Sequence, residues 1–174
     1  YGDDRGFFLE TQRSSIHKGN GIPNLIQHNQ SRSKMGVIRG LHYQSKNPQG
    51  KLVRCSYGKI FDVAVDIRKD STHFGDWVGA ILDDQMHKQL WIPEGFAHGF
   101  LVMSEIADVC YSCSNYYCPE SEIGISWNDS DIAIKWPKLP EGFMPIVSNK
   151  DSNNLDLKDH KQENLPSLTS LSTL

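Results

Sequence analysis

The stretch KIFDVAVDIR, residues 59–68, decides the fold class of this chain. Phe61, Val63 and Val65 fall on one side of an extended chain, whereas Asp62 and Asp66 fall on the other. Successive side chains of a strand point to opposite faces, so this alternation is typical of a β-strand. We predict a strand with one apolar face in a core and one partly charged face.

Seven further segments show the same alternation or a β-rich composition: LIQHN (25–29), GVIRGLHYQ (36–44), KLVRCSY (51–57), WVGAILD (77–83), QLWIP (89–93), GFAHGFLVM (95–103) and ADVCYSC (107–113). Turns such as NPQG at 47–50 and IPEG at 92–95 separate them. Strands in series, without long helical patterns, indicate an all-β fold. We expect two packed sheets or a jelly-roll barrel.

The chain has 174 residues, 38% of them hydrophobic, which fits one domain whose core needs no metal or disulfide. We expect the barrel to occupy residues 1–150. The remainder, 151–174, reads DSNNLDLKDHKQENLPSLTSLSTL and has no clean period. We expect a tail, with at most a short helix, that contributes little to the core or to catalysis.

The charge balance argues against nucleic acid as a partner, and the lack of a long apolar run argues against a membrane. Lys and Arg number 18 against 21 Asp and Glu, and no basic run is suited to a phosphate backbone. No apolar run approaches the roughly 18 residues of a membrane helix, and no signal-peptide pattern opens the chain. A cytoplasmic protein is the expectation, although the first residue is Tyr1 and a removed leader stays open.

Cys110 and Cys113 form a C-x-x-C pair, a spacing that can bind metal or carry redox chemistry. On the predicted strand ADVCYSC they point to opposite faces and so cannot share a metal ion. We interpret them, with Cys55 and Cys118, as free structural cysteines.

His42 shares a predicted strand face with small and polar neighbours, where a lone histidine is more often a satisfied core residue. It is not alone, because four further ionisable residues lie on or beside apolar strands: Lys51, Asp62, His98 and Asp129. Such groups are costly to bury one at a time. We therefore expect them to converge in one polar site inside the barrel.

The segment PEGFAH, residues 93–98, resembles the second motif of the cupins, β-barrel proteins that often hold a metal with histidines and a carboxylate. The first cupin motif has another histidine two residues after the first, but here that position is Gln44. His42 and His98 are too few for a site of three or four ligands. We expect a cupin-like fold without metal or other cofactor.

Eight blocks resemble, in order, the successive blocks of the dTDP-4-dehydrorhamnose 3,5-epimerases: GDDRGFFLE, GVIRGLHYQ, PQGKLVR, FDVAVDIR, FGDWVGAIL, QLWIPEGFAHGF, NYYCPESE and WNDSDIAIKWP. The resemblance runs from about residue 1 to 151. It implies a jelly-roll barrel, a homodimer and a cofactor-free isomerase. Such an enzyme inverts C3 and C5 of dTDP-4-dehydro-6-deoxy-D-glucose, giving the L-configured 4-keto sugar used for rhamnose.

The resemblance also implies four roles in proton transfer. His42 matches the base, Asp129 the carboxylate that orients it, and Lys51 the cation near the ketone oxygen. Tyr111 matches the proton donor on the opposite face; without the resemblance, a core aromatic is an equally good interpretation. These roles suit the reaction, since removing a proton beside a ketone needs a base and a stabilised enolate.

Binding roles follow from the same resemblance. Arg39 matches a diphosphate-binding arginine, and Arg5 matches a second one that comes from the partner subunit. The planar guanidinium offers paired donors to phosphate. Tyr117 matches an aromatic stacked on thymine. The remaining matches are nucleotide contacts and positions near the sugar: Glu10, Gln27, Asn29, Asp62 and His98.

Two residues depart from the family pattern: Tyr1 stands where Phe is common, and His28 where Asp is common. Both bear on nucleotide affinity and not on the proposed acid or base. Two alternatives stay open, a relative that inverts only one carbon and a non-catalytic sugar-nucleotide-binding barrel. The second is disfavoured because binding alone needs no base together with an acid.

Overall fold

A computed structural model, which describes residues 2–171, has a strand at each of the eight predicted segments. The strands are β1 Gly2–Asp3, β2 Gly6–Phe7, β3 Gln27–Lys34, β4 Ile38–Gln44, β5 Lys51–Tyr57, β6 Lys59–Asp66, β7 Trp77–Asp83, β8 Gln89–Ile92, β9 Phe96–Val102, β10 Ile106–Cys113 and β11 Glu122–Gly124. The helices are α1 Ser14–Gly19 and α2 Leu168–Leu171. The all-β prediction is confirmed, and α2 is the expected short C-terminal helix.

Two antiparallel sheets form the body of the molecule. One has four strands in the order β3-β10-β5-β8, and the other has five in the order β11-β4-β9-β6-β7. Neighbours in each sheet are mostly distant in sequence, as in jelly rolls. Between the sheets lies an inner core that includes Val53 of β5, Val109 of β10, Ile60 of β6 and Phe100 of β9.

A second core covers the outer face of the five-stranded sheet. Val63 and Val65 of β6 pack there with Ile125, Leu157 and Leu165. Strand β6 therefore buries both of its faces, and the partly charged face predicted for it points into the barrel, where Asp62 is fully buried. The C-terminal segment, residues 144–165, covers this outer face, which is why the face is apolar.

The expectation that residues after Lys150 add little to a core is therefore wrong. Leu157 and Leu165 are 5% and 4% exposed. The segment before them is tied to β4: Ile38 N–H donates to Ile146 O at 2.9 Å, and Ile146 N–H donates to Gly36 O at 2.8 Å. Gly36 has φ +82°, and a Cβ there would lie 2.8 Å from the Met144 carbonyl oxygen, so glycine permits this close approach.

Three further sequence observations concern the cysteines, membrane-spanning segments and Tyr1. All four cysteines are free. No helix within residues 2–171 is long and apolar enough to cross a membrane. The departure at Tyr1 lies outside the described residues.

Candidate active site

A cavity of about 630 Å³ opens between the two sheets and the C-terminal segment. Eight of the predicted site residues line it: Gln27, Asn29, Arg39, His42, Lys51, His98, Tyr111 and Tyr117. They come from β3, β4, β5, β9 and β10 and from the loop after β10. Of the five ionisable residues expected to converge, His42, Lys51 and His98 line this cavity, whereas Asp62 and Asp129 do not.

Strand alternation explains which side chains of β3 enter the cavity. On β3, Gln27 and Asn29 line it, whereas His28 points to the other face and meets Ser112 Oγ at 2.7 Å. The departure at His28 therefore lies outside the cavity wall. Arg39 Nε donates to Ser33 Oγ at 3.0 Å, which fixes part of the guanidinium while its side chain lines the cavity.

His42 is paired with Asp151. The distance from His42 Nε2 to Asp151 Oδ1 is 2.6 Å. Asp151 is itself fixed, because its N–H donates to Ser148 Oγ at 3.0 Å and its Oδ2 accepts the Gly40 N–H at 3.4 Å. Burial would raise the pKa of Asp151, but the hydrogen bond and charge of His42 outweigh it and hold that pKa below its ordinary value.

Asp129 does not meet His42, so the predicted pairing is wrong. Its Oδ1 accepts the N–H of Asp131 at 2.8 Å and of Ile132 at 3.1 Å. Its Oδ2 accepts the Leu157 N–H at 2.6 Å. Both carboxylate oxygens thus accept hydrogen bonds from backbone N–H groups, as aspartate often does at turns. The bond from Leu157 anchors the C-terminal segment to Asp129.

A second histidine–aspartate pair lies deeper in the barrel. His98 Nε2 is 2.7 Å from Asp62 Oδ1, and His98 faces His42 across the β4–β9 ladder. Asp62 has no exposed surface, and its Oδ2 has no hydrogen-bond partner in the part of the chain that the structure describes. This pair supports the wall of the cavity from within the five-stranded sheet.

Lys51 and Tyr111 supply a cation and a phenol from the four-stranded sheet. Burial lowers the pKa of Lys51, while the nearby Cys113, Glu122 and Asp62 act in the opposite direction. Burial raises the pKa of Tyr111, so its hydroxyl keeps its proton at neutral pH. Both side chains line the cavity that holds His42.

The structure adds cavity residues that sequence reasoning missed. Glu122 accepts hydrogen bonds from the Tyr117 hydroxyl, at 3.2 Å, and from Lys150. Burial would raise the pKa of Glu122, but Lys150 and the charge of His42 hold it below its ordinary value. Asp151 and Lys150 had no periodic signal in the sequence. Glu122 is the last residue of the block NYYCPESE, so the resemblance to the family carried a signal for it.

Arg5 and Glu10 do not line the cavity of this chain. Arg5 binds Asp3 at 2.5 Å with its side chain 90% exposed, and Glu10 binds Arg13 at 2.7 Å. Both belong to the N-terminal segment, which also exposes Phe7. The structure of a single chain thus leaves both residues away from the other predicted contacts.

The protein has a second cavity, and the arrangement of its possible metal ligands also bears on the site. Among residues 2–171, no group of three or more His, Cys, Asp or Glu side chains is placed to hold a metal ion. A larger cavity, about 840 Å³, is lined by residues such as Arg68, Phe74, Trp77 and Phe96. It contains none of the predicted site residues, and Arg68 there is occupied by Asp66. We therefore assign the candidate active site to the smaller cavity.

Comparison with known proteins decides the family. A family model described as dTDP-4-dehydrorhamnose 3,5-epimerase matches residues 1–159, a range that includes His42, Tyr111 and Asp151. The chain belongs to the dTDP-4-dehydrorhamnose 3,5-epimerase family. It is thus an isomerase, and its facing antiparallel sheets form the cupin-like jelly roll of this family.

Individual members of the epimerase family are similar to this protein over most of its chain. The dTDP-4-dehydrorhamnose 3,5-epimerase of Escherichia coli is 55% identical over 162 residues, which cover 91% of this chain and 86% of that protein. A crystal structure of dTDP-6-deoxy-D-glucose-3,5-epimerase from Legionella pneumophila, in complex with dTDP-4-keto-L-rhamnose, superposes with a TM-score of 0.92. It is 49% identical and covers 96% of this chain and 88% of its own.

A more distant epimerase acts on one carbon. The 3'-monoepimerase of Streptomyces bikiniensis, in complex with dTDP-quinovose, has a TM-score of 0.88 and 30% identity. The match covers 99% of this chain and 88% of that one. The same barrel therefore occurs in epimerases with different numbers of inverted carbons.

Proposed function

We propose that the cavity inverts C3 and C5 of dTDP-4-dehydro-6-deoxy-D-glucose by removing and returning a proton at each carbon. The observation that carries the proposal is the His42–Asp151 pair, which shares one cavity with Lys51 and Tyr111. The family relatives, named for this reaction, support the substrate. The Legionella enzyme's complex with dTDP-4-keto-L-rhamnose supports the same sugar nucleotide.

His42 acts as the base. Because Nε2 meets the Asp151 carboxylate, that nitrogen carries the ring hydrogen and Nδ1 keeps a lone pair. Nδ1 takes the proton from the carbon beside the C4 ketone, and the C–H electron pair becomes the C=C bond of an enolate. Asp151 stabilises the imidazolium that forms.

Lys51 stabilises the enolate oxygen. Burial disfavours the charged ammonium of Lys51, but a developing negative charge at the C4 oxygen favours it. The interaction is therefore stronger in the transition state than in the ground state, which is the condition for lowering the barrier.

Tyr111 returns a proton to the opposite face. Its phenol is protonated at neutral pH and lies on β10, across the cavity from β4. Donation from Tyr111 to the carbanion carbon inverts that centre, whereas return of the proton from His42 restores the original configuration. The outcome at each carbon thus depends on which group reaches it.

The test is epimerisation in heavy water with Tyr111→Phe, which separates proton removal from inversion. His42 still removes the proton, so deuterium exchange should persist while inversion falls about 10²-fold or more. Lys51→Ala should depress exchange and inversion together, because the enolate precedes both outcomes. Proton NMR of substrate and product reports both quantities.

Tyr57→Phe is the matched control, since Tyr57 is exposed at the end of β5 and does not line the cavity. It should change neither exchange nor inversion. Equal loss of exchange and inversion in folded Tyr111→Phe would rule out Tyr111 as a dedicated donor.

For the nucleotide end, the proposed contacts are Arg39 with the diphosphate and Tyr117 with the thymine ring, with Gln27 and Asn29 beside it. Arg5 and Glu10 complete the site from a partner in a homodimer. Neither residue lines the cavity of its own chain, and Phe7 beside them is exposed; both observations support this arrangement. Sedimentation coupled to activity assays tests it: a fully active monomer would exclude the partner's contribution.

A single-carbon epimerase is the second candidate function, favoured by the likeness to the 3'-monoepimerase of Streptomyces bikiniensis. It would use the same base, and deuterium would exchange at one carbon only. Proton NMR of the product separates the two candidates.

A further inference from the structure

The loop that carries Tyr117 is held by glutamine side chains. It follows β10, which ends at Cys113, and precedes a 3₁₀ turn at Pro119–Ser121. Each of the four residues 115–118 has a backbone N–H or C=O bonded to a glutamine side chain. Glutamine side chains therefore contribute to the position of every backbone unit in this part of the loop.

Gln44 makes the central contacts. Its Oε1 accepts the Cys118 N–H at 2.8 Å, and its Nε2 donates to Tyr116 O at 3.3 Å and to Asn47 O at 2.7 Å. The amide thus binds the backbone on either side of Tyr117. Gln44 is 6% exposed, so water cannot readily replace these partners when they are lost.

Two other glutamines complete the support. Gln27 Oε1 accepts the Tyr117 N–H at 2.8 Å, and Gln49 Nε2 donates to Asn115 O at 2.8 Å. Gln27 Nε2 also donates to Asn29 Oδ1 at 3.1 Å, which links the loop to the cavity wall on β3. Unlike Gln44, both Gln27 and Gln49 line the cavity themselves.

Gln44 occupies the position where metal-binding cupins carry a histidine, and the proton-transfer steps above do not use it. Its contacts lead instead to Tyr117, which is 48% exposed and lines the cavity. A half-exposed aromatic ring binds a base well only if its backbone is already in place, because ordering a loop on binding costs affinity.

We propose that Gln44 is a positioning residue for nucleotide recognition, acting through the loop 115–118 to hold the Tyr117 ring where it meets the pyrimidine. The inference rests on the proposed function, since it requires a dTDP-sugar in the cavity. Gln44 contributes to the affinity for the nucleotide and not to proton transfer at the sugar.

A double-mutant cycle tests the proposal, with dTDP as the probe in titration calorimetry. Gln44→Ala should raise the Kd for dTDP about 10-fold, and it should raise KM for the keto sugar nucleotide while kcat stays within about 2-fold. In the Tyr117→Ala background the same change should have almost no further effect, because the loop then has no ring to position. Inorganic pyrophosphate, which lacks the base, should bind wild-type protein and Gln44→Ala with equal affinity.

Gln44→Met keeps the volume without the hydrogen bonds, and it should reproduce the loss if Gln44→Ala does not fold. Gln85→Ala is the matched control, because Gln85 lies on the exposed turn after β7 and its side chain contacts Asp84. It should leave the Kd for dTDP unchanged.

Several results would overturn the proposal. They are an equal loss of dTDP affinity with and without Tyr117, a parallel loss of pyrophosphate binding, unchanged dTDP binding in folded Gln44 variants, or failure of both variants to fold. Failure of the proposed function looks different: wild-type protein would not bind dTDP, or Tyr117→Ala would bind it as tightly as wild type.

Discussion

His42 and His98 lie opposite each other on neighbouring strands, and each meets an aspartate, at 2.6 and 2.7 Å. Their surroundings differ. The His98 side chain is 8% exposed and its partner Asp62 is on β6 of the same sheet, whereas the His42 side chain is 25% exposed and its partner comes from the C-terminal segment. The same pair of residue types can therefore stabilise a sheet or face a ligand, depending on what covers it.

The largest expected effect separates the two histidines. His42→Ala should lower both epimerisation and deuterium uptake by about 10²–10⁴-fold, because no carbanion forms without proton removal. Its melting temperature should stay near that of wild type, since Asp151 remains bound to Gly40 and Ser148.

His98→Ala should instead lower the free energy of unfolding by about 3 kcal/mol or more, because it leaves the buried Asp62 without a partner. Thermal and urea unfolding measure this loss. If His42→Ala were the less stable variant, the distinction between the two pairs would be mistaken.

The second prediction concerns Asp151, the carboxylate of the His42–Asp151 pair. Asp151→Asn should reduce kcat about 10²-fold or more, because an amide no longer selects the ring tautomer with a lone pair on Nδ1 or stabilises the imidazolium. Asp129→Asn is the matched change, since every hydrogen bond of the Asp129 carboxylate within residues 2–171 comes from a backbone N–H group.

Asp129→Asn should lower the melting temperature while the kcat of the folded fraction stays far closer to wild type. Steady-state kinetics normalised to the folded fraction compare the two. A larger kcat loss for Asp129→Asn than for Asp151→Asn would support the pairing of Asp129 with His42 that the family resemblance implied.

The smallest effect tests how the C-terminal segment is held in place. Leu157→Ala should cost about 2–4 kcal/mol of unfolding free energy, because Leu157 is buried in the outer core. Leu155→Ala, two residues earlier, should cost less than about 0.5 kcal/mol, since Leu155 is 57% exposed. Chemical denaturation gives both values, and similar losses would show that the segment does not rely on the outer core.

Much of the site could be predicted because its residues lie on strands. Lys51, Tyr111 and His98 occupy regular strand positions, and alternation alone assigns each to one of two faces. Gln27 and Asn29 enter the cavity together, and His28 between them does not, for the same reason. On β4 alternation fails, because the pairing with β9 shifts between Arg39 and His42 and both residues line the cavity. The resemblance to the family then implied the catalytic and binding roles of these residues, which alternation cannot indicate.

The sequence by itself determined eight of the strands and, outside the irregular β4, the residues that each of them presents, because period-two alternation is a local property of an extended chain. Only the tertiary structure decided which carboxylate meets His42. Asp129 and Asp151 are the same residue type in irregular segments, and Asp151 reaches His42 across 109 positions of chain. No local pattern specifies such a contact: it arises because the C-terminal segment buries Leu157 and Leu165 against the outer face of the sheet and so carries Asp151 to the cavity.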